Sequence, residues 1–135
     1  MPATLDRKFE KFIGGPTRST HERIYVSINK ANLIAMNNNC YRMLGKPPAV
    51  NLYFSRADDI IAIEPVHSHR LPTAFPVKHK ANTGWRINAS PFFKHFGIRM
   101  DTTERFIAPE IRDGALQLKL TETVTVRQNR RRNRD

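Results

Sequence analysis

Three cations and an indole crowd one short stretch of this chain: Lys78, Lys80 and Arg86 flank a turn that also presents Trp85. Ammonium and guanidinium groups hold phosphate oxygens, and an aromatic ring beside them suits stacking on a nucleobase. Lys30 opens an earlier Lys-Ala-Asn turn that matches the one beginning at Lys80, so a two-fold-related pair of basic turns is expected. A second cationic group lies in the segment RQNRRRNR, where Arg127, Arg130, Arg131, Arg132 and Arg134 place five guanidiniums in eight residues that include no apolar one. Such a segment cannot join a core, and residues 127–135 are expected to form a disordered tail that holds phosphates without sequence selectivity. A merely solubilising tail is the plainer reading of the same residues.

Other chemistries fare less well. His67 and His69 are two apart and face one way in an extended segment, but nothing fixes a third ligand beside them, and His79 and His95 read as ordinary surface histidines. No metal site is expected. Cys40 has no evident base and lies on a helix whose periodicity buries it, which favours a small core residue over a nucleophile. The carboxylates Asp58, Asp59, Asp101 and Asp113 fall in turns, where they serve turn geometry. A paired acid and base, a phosphate loop and a dinucleotide fingerprint are all missing from the sequence. The expectation is a non-enzymatic binding protein with no cofactor.

The bulk properties agree. A chain of 135 residues with 39% apolar composition is enough for one compact domain. Twenty-three Lys and Arg against twelve Asp and Glu leave a net charge of +11, so the natural partners are anionic: nucleic acid, an acidic protein surface or anionic lipid. Apolar runs such as Ile60 to Ile63 are far too short for a membrane span, and the opening residues MPATLDRKFEKFIGGP lack the continuous apolar stretch of a signal peptide. One cysteine agrees with a reducing compartment. A cytoplasmic protein is expected, nucleoid-associated if bacterial.

The elements that must position these groups are short. Residues 1–23 read as an N-terminal arm with a weak helical hint around Leu5, Phe9 and Phe12. Ile24, Val26 and Ile28 alternate with polar partners as in a half-buried strand, and Leu33 to Met36 returns as a second strand after the turn at Asn32. One of Asn37, Asn38 and Asn39 caps a short helix that ends at Gly45. Val50, Leu52 and Phe54 alternate, a polar turn covers Ser55 to Asp59, and Ile60 to Ile63 runs back to complete a hairpin. After a linker over 66–74, Val77 opens a strand, Trp85 to Asn88 returns, and Ser90-Pro91 places a cap and a first-turn proline before a helix ending at Gly97. Asp113-Gly114 between apolar runs predicts a last hairpin.

Set side by side, residues 24–65 and 75–120 read as two copies of one unit, with Cys40 to Gly45 standing against Phe92 to Gly97. The order strand, turn, strand, short helix ending in Leu-Gly or Phe-Gly, then a hairpin resembles the AbrB and MazE type of swapped-hairpin domain, through KANLIAMNNNCYRMLGKPPAVNLYFSRADDIIAIEP and GWRINASPFFKHFGI. The family's turn arginine is replaced by Leu33 and Trp85. The resemblance implies a mainly β, α+β fold in which tandem β-β-α-β-β units interleave into one swapped-hairpin-like barrel over 24–126. It also implies a DNA-binding, transcription-regulator-like function, with RNA the second choice. Open edges and palindromic sites favour further pairing into a homodimer. The rival expectation is a protein-interaction module, antitoxin-like or a phage-encoded inhibitor, that grips an acidic partner and docks through Phe9, Phe12 and Ile13.

Overall fold

Alternating apolar and polar side chains dominate the chain, and the structure, a computed structural model describing residues 23–68, 71–81 and 84–126, is accordingly mainly β with two short helices. The expected arm before Arg23, the tail 127–135 and His69 lie outside the described residues. In chain order the elements are β1 (Val26–Ile28), β2 (Leu33–Met36), α1 (Asn38–Met43), β3 (Ala49–Ser55), β4 (Ile60–Val66), β5 (Phe75–Lys80), β6 (Gly84–Asn88), α2 (Ser90–Phe96), β7 (Glu104–Phe106), β8 (Glu110–Arg112), β9 (Ala115–Lys119) and β10 (Thr123–Thr125). No helix among the described residues is long and apolar enough to cross a membrane.

Every strand pair is antiparallel, in the order β10-β7-β1-β2-β6-β5-β3-β4-β9-β8. The expected barrel is not closed. Closure needs the outer strands to meet with a common stagger. Here β10 and β8 are each three residues long and end the order at opposite sides. The β8–β9 hairpin joins β4 and so extends the sheet. Around the centre, β3 follows α1 but pairs with β5, while β7 follows α2 but pairs with β1. β5 changes neighbours partway, Phe75 and Pro76 facing β3 and Val77 to Lys80 facing β6. It therefore starts two residues before the expected Val77, with Pro76, which has no N–H to give, at the changeover.

The core sits under one face of this sheet, where Val26, Ile28, Ile34, Met36 and Ile87 meet Phe93 of α2 and Cys40 and Tyr41 of α1. Both helices start where a short polar signal allows. The Asn37 side chain accepts from the Cys40 N–H at 3.0 Å and caps α1. α2 begins one residue earlier than its Ser-Pro signal predicts, with fully buried Ala89 in the cap position. The Ser90 N–H there donates instead to Asn88 Oδ1 at 3.2 Å. The Asp113-Gly114 hairpin forms as expected, its two residues at φ 54° and 82°, both in the left-handed region that this turn requires.

Candidate nucleic-acid interface

In an antiparallel pair, residues directly opposite share a face of the sheet, so the registers decide which side chains stand together. Ile28, Ile34, Ile87 and Val77 line up across β1, β2, β6 and β5. The first three of these are fully buried and define the inner face. One residue along, the row reads Arg105, Ser27, Ala35, Arg86 and Lys78 across β7, β1, β2, β6 and β5. Because side chains alternate between faces, this row points away from the core. The sheet therefore carries an outer band with cations toward both ends and short uncharged side chains between them.

The β5–β6 end of the band opens into a cleft of about 570 Å³ lined by Leu33, Pro76, Lys78, His79, Lys80, Arg86 and Asn88. Lys78, Lys80 and Arg86, expected together from the sequence, do stand together here. The Nε of Arg86 is buried with no hydrogen-bond partner among the described residues. At the other end, Tyr25, Ser27, Ala35, Arg105 and neighbours line a second cleft of about 290 Å³. Among the described residues, neither lining contains a carboxylate.

Trp85 does not join the band. It immediately precedes Arg86 on the same strand and so points to the opposite side, where its ring stacks on Tyr41 with centroids 3.7 Å apart and planes 13° from parallel. Its Nε1–H donates to Asn38 Oδ1 at 2.9 Å, and His79 tilts against it at 4.6 Å. The indole is spent on fastening α1 to β6. Lys30 also lies apart, in a different cleft with Lys94 and Arg99, since the β1–β2 and β5–β6 turns fall at opposite ends of the antiparallel β2–β6 pair. The arginines Arg127 to Arg134 lie outside the described residues.

Three residues that sequence reasoning passed over complete the band. The guanidiniums of Arg23 and Arg105 lie over the Tyr25 ring, at 5.2 and 5.4 Å from its centroid. Such cation–π contacts hold two flexible side chains in place without removing their charge. Asn37 fixes the segment they depend on: its amide donates to the Arg23 carbonyl at 2.7 Å and its Oδ1 accepts from the Tyr25 N–H at 3.2 Å. The alternation of Ile24, Val26 and Ile28 already sets Tyr25 on the polar side, and one step further back it adds Arg23 to the same side. Arg105 gave no such signal, because it joins the band only through the β1–β7 pairing.

Comparison with protein-family models, with curated proteins and with solved structures finds no match to this chain. The site must be read from its own chemistry. Burial pushes the Cys40 thiol up to about 12, which keeps it protonated and poorly nucleophilic at neutral pH. No group of three or more metal-ligating side chains gathers among the described residues. The band itself offers positive charge from three strands on one face, which is the equipment for holding oxyanions in a row.

Proposed function

We propose that this chain is a non-enzymatic nucleic-acid-binding protein that holds backbone phosphates on the outer face of β7-β1-β2-β6-β5. The row Arg105, Ser27, Ala35, Arg86, Lys78 carries the reading, because one register places cations from three separate strands on a single face. The net charge of +11 supplies long-range attraction, and the arginines at 127–134 add contacts that need no defined geometry. DNA is the preferred partner and RNA the second, on the resemblance to the AbrB and MazE type, and a cytoplasmic, transcription-regulating role goes with it. The cross-pairing of β3 with β5 and of β7 with β1 supports two fused units that exchange strands, although the sheet they share stays open.

The test is a fluorescence-anisotropy titration with mixed-sequence duplex DNA, single-stranded DNA and RNA across a range of salt concentrations. Affinity should fall steeply with salt, with a log–log slope near 0.9 per phosphate contact on duplex. Binding should survive truncation after Val126 and weaken when Lys78, Lys80 and Arg86 become alanine. A flat salt response, or binding that disappears with the tail, refutes the reading. The exposed apolar side chains of Val124 in β10, Val126 just after it and Ile107 just after β7 support a second reading, a module that grips an acidic partner protein. That reading takes over if no nucleic acid binds.

A further inference from the structure

We propose that the outer face is built for B-form duplex DNA, with one of its two cation groups on each strand; this rests on the nucleic-acid reading above and specifies its substrate. The first group is Arg23 and Arg105 around Tyr25, on the β7–β1 side. The second is Lys78, Lys80 and Arg86, on the β6–β5 side. Between them the row holds only Ser27 and Ala35.

Spacing and chemistry both favour two strands over one. From β7 to β6 is three strand intervals, about 14 Å at roughly 4.8 Å each. The major groove of B-form DNA is about 12 Å wide, so long cationic side chains at this separation reach the phosphates on its two borders. The short, uncharged Ser27 and Ala35 then face the mouth of the groove, where no phosphate lies. The major groove of A-form RNA is narrow and deep and does not match that spacing. A single strand has one backbone and gains much of its affinity from bases stacked on aromatic rings. Among the described residues this face offers it no such platform: two guanidiniums lie over Tyr25, and Trp85 is stacked on Tyr41 on the far side of β6.

The experiment uses the full chain and three probes: a mixed-sequence DNA duplex, the same duplex with one strand made of uncharged methylphosphonates, and one strand of the native sequence alone. Two paired variants each remove one group, Arg23→Gln with Arg105→Gln and Lys78→Gln with Arg86→Gln, and a fourfold variant removes both. Each paired variant should bind the native duplex more weakly, with a salt slope shallower by about 1.8, two contacts at about 0.9 each. On the half-neutral duplex each paired variant should bind as the unaltered protein does, since only one group meets a charged strand, and only the fourfold variant should lose further affinity. If each pair weakens binding to all three probes by the same factor, or if one pair is silent on the native duplex, the two-strand arrangement is overturned. Failure of the unaltered protein to bind native duplex at all would instead remove the nucleic-acid reading on which the arrangement rests. Should the Arg105 substitution prevent folding, Arg23→Gln alone, at an exposed residue, replaces that pair.

Discussion

Replacing Trp85 by leucine separates a structural indole from a base-stacking one. The substitution keeps an apolar side chain on β6 but removes the ring that stacks on Tyr41 at 3.7 Å and the N–H that donates to Asn38 at 2.9 Å. The hydrogen bond is exposed, so its loss costs about 0.5–1 kcal/mol. The parallel ring pair contributes about 0.5–1.5 kcal/mol beyond its buried area. Together these predict a loss of about 2 kcal/mol, which for a domain of this size lowers the melting temperature by about 8 °C. Thermal unfolding followed by circular dichroism reads that shift, and anisotropy at a temperature where both proteins are folded reads the affinity for duplex DNA. Affinity should change by less than about twofold, whereas a stacked base is worth about 1–3 kcal/mol, roughly 5- to 150-fold. A Trp85→Leu protein that melts normally but loses nucleic acid by tenfold or so would refute the assignment of Trp85 to the α1–β6 contact.

Two glycines in left-handed conformations should respond very differently to alanine. At Gly114 (φ +82°) a Cβ meets nothing within 4 Å, and conformational strain of about 1 kcal/mol is the whole cost, whereas at Gly84 (φ +88°) it lies 2.4 Å from the Met36 carbonyl oxygen. Gly84→Ala should therefore lose about 3 kcal/mol or more in a denaturant titration, and equal losses at the two sites would contradict the close β2–β6 approach. Hydroxyl donors, Thr102 foremost, then Thr125 and Thr123, hold the Glu104 carboxyl below its ordinary 4.5. A depressed folded-state value means stabilisation that is present above about 4.5 and is lost as pH falls through the folded value, so the stability difference between the natural protein and Glu104→Gln should shrink in acid. Thermal melts from neutral pH downward check this; a difference that grows in acid reverses the sign. Cys40, buried and with its thiol pushed up to about 12, should resist iodoacetamide in the folded protein and react on unfolding, as mass spectrometry would show.

Local signals in the sequence decide the turns and helix ends. Asp113-Gly114 makes its hairpin, Gly45 and Gly97 take the left-handed conformations that end the helices, and Asn37 caps α1. What escaped was anything decided by pairing between distant strands. Arg105 reaches the band only because β7 lies against β1, and the open sheet follows from β9 settling on β4. One error was avoidable. Trp85 and Arg86 are consecutive residues of one strand, and successive side chains of a strand point to opposite faces, so the two could not have served one surface. The matching Lys30 and Lys80 turns were legible, but an antiparallel β2–β6 contact necessarily sends them to opposite ends.

The same alternation that divided Trp85 from Arg86 makes the band depend on register to a single residue. A slip of one position between β6 and β2 would turn Ile87 outward and drive Arg86 into the core, at a cost of several kcal/mol for an unpaired buried charge. Three contacts along this strand pair oppose the slip. Gly84 admits the Met36 carbonyl where any side chain would collide with it. At the other end the Ala89 N–H donates to the Asn32 carbonyl at 3.0 Å. Between them, fully buried Ile34 and Ile87 stand directly opposite each other. Apolar packing on the inner face and backbone geometry at the strand ends thus place the charge on the outer face. A substitution at Gly84, which bears no charge and lies outside the row of cations, should therefore weaken nucleic-acid binding by disturbing the alignment of Arg86 and Lys78 with Ser27 and Arg105.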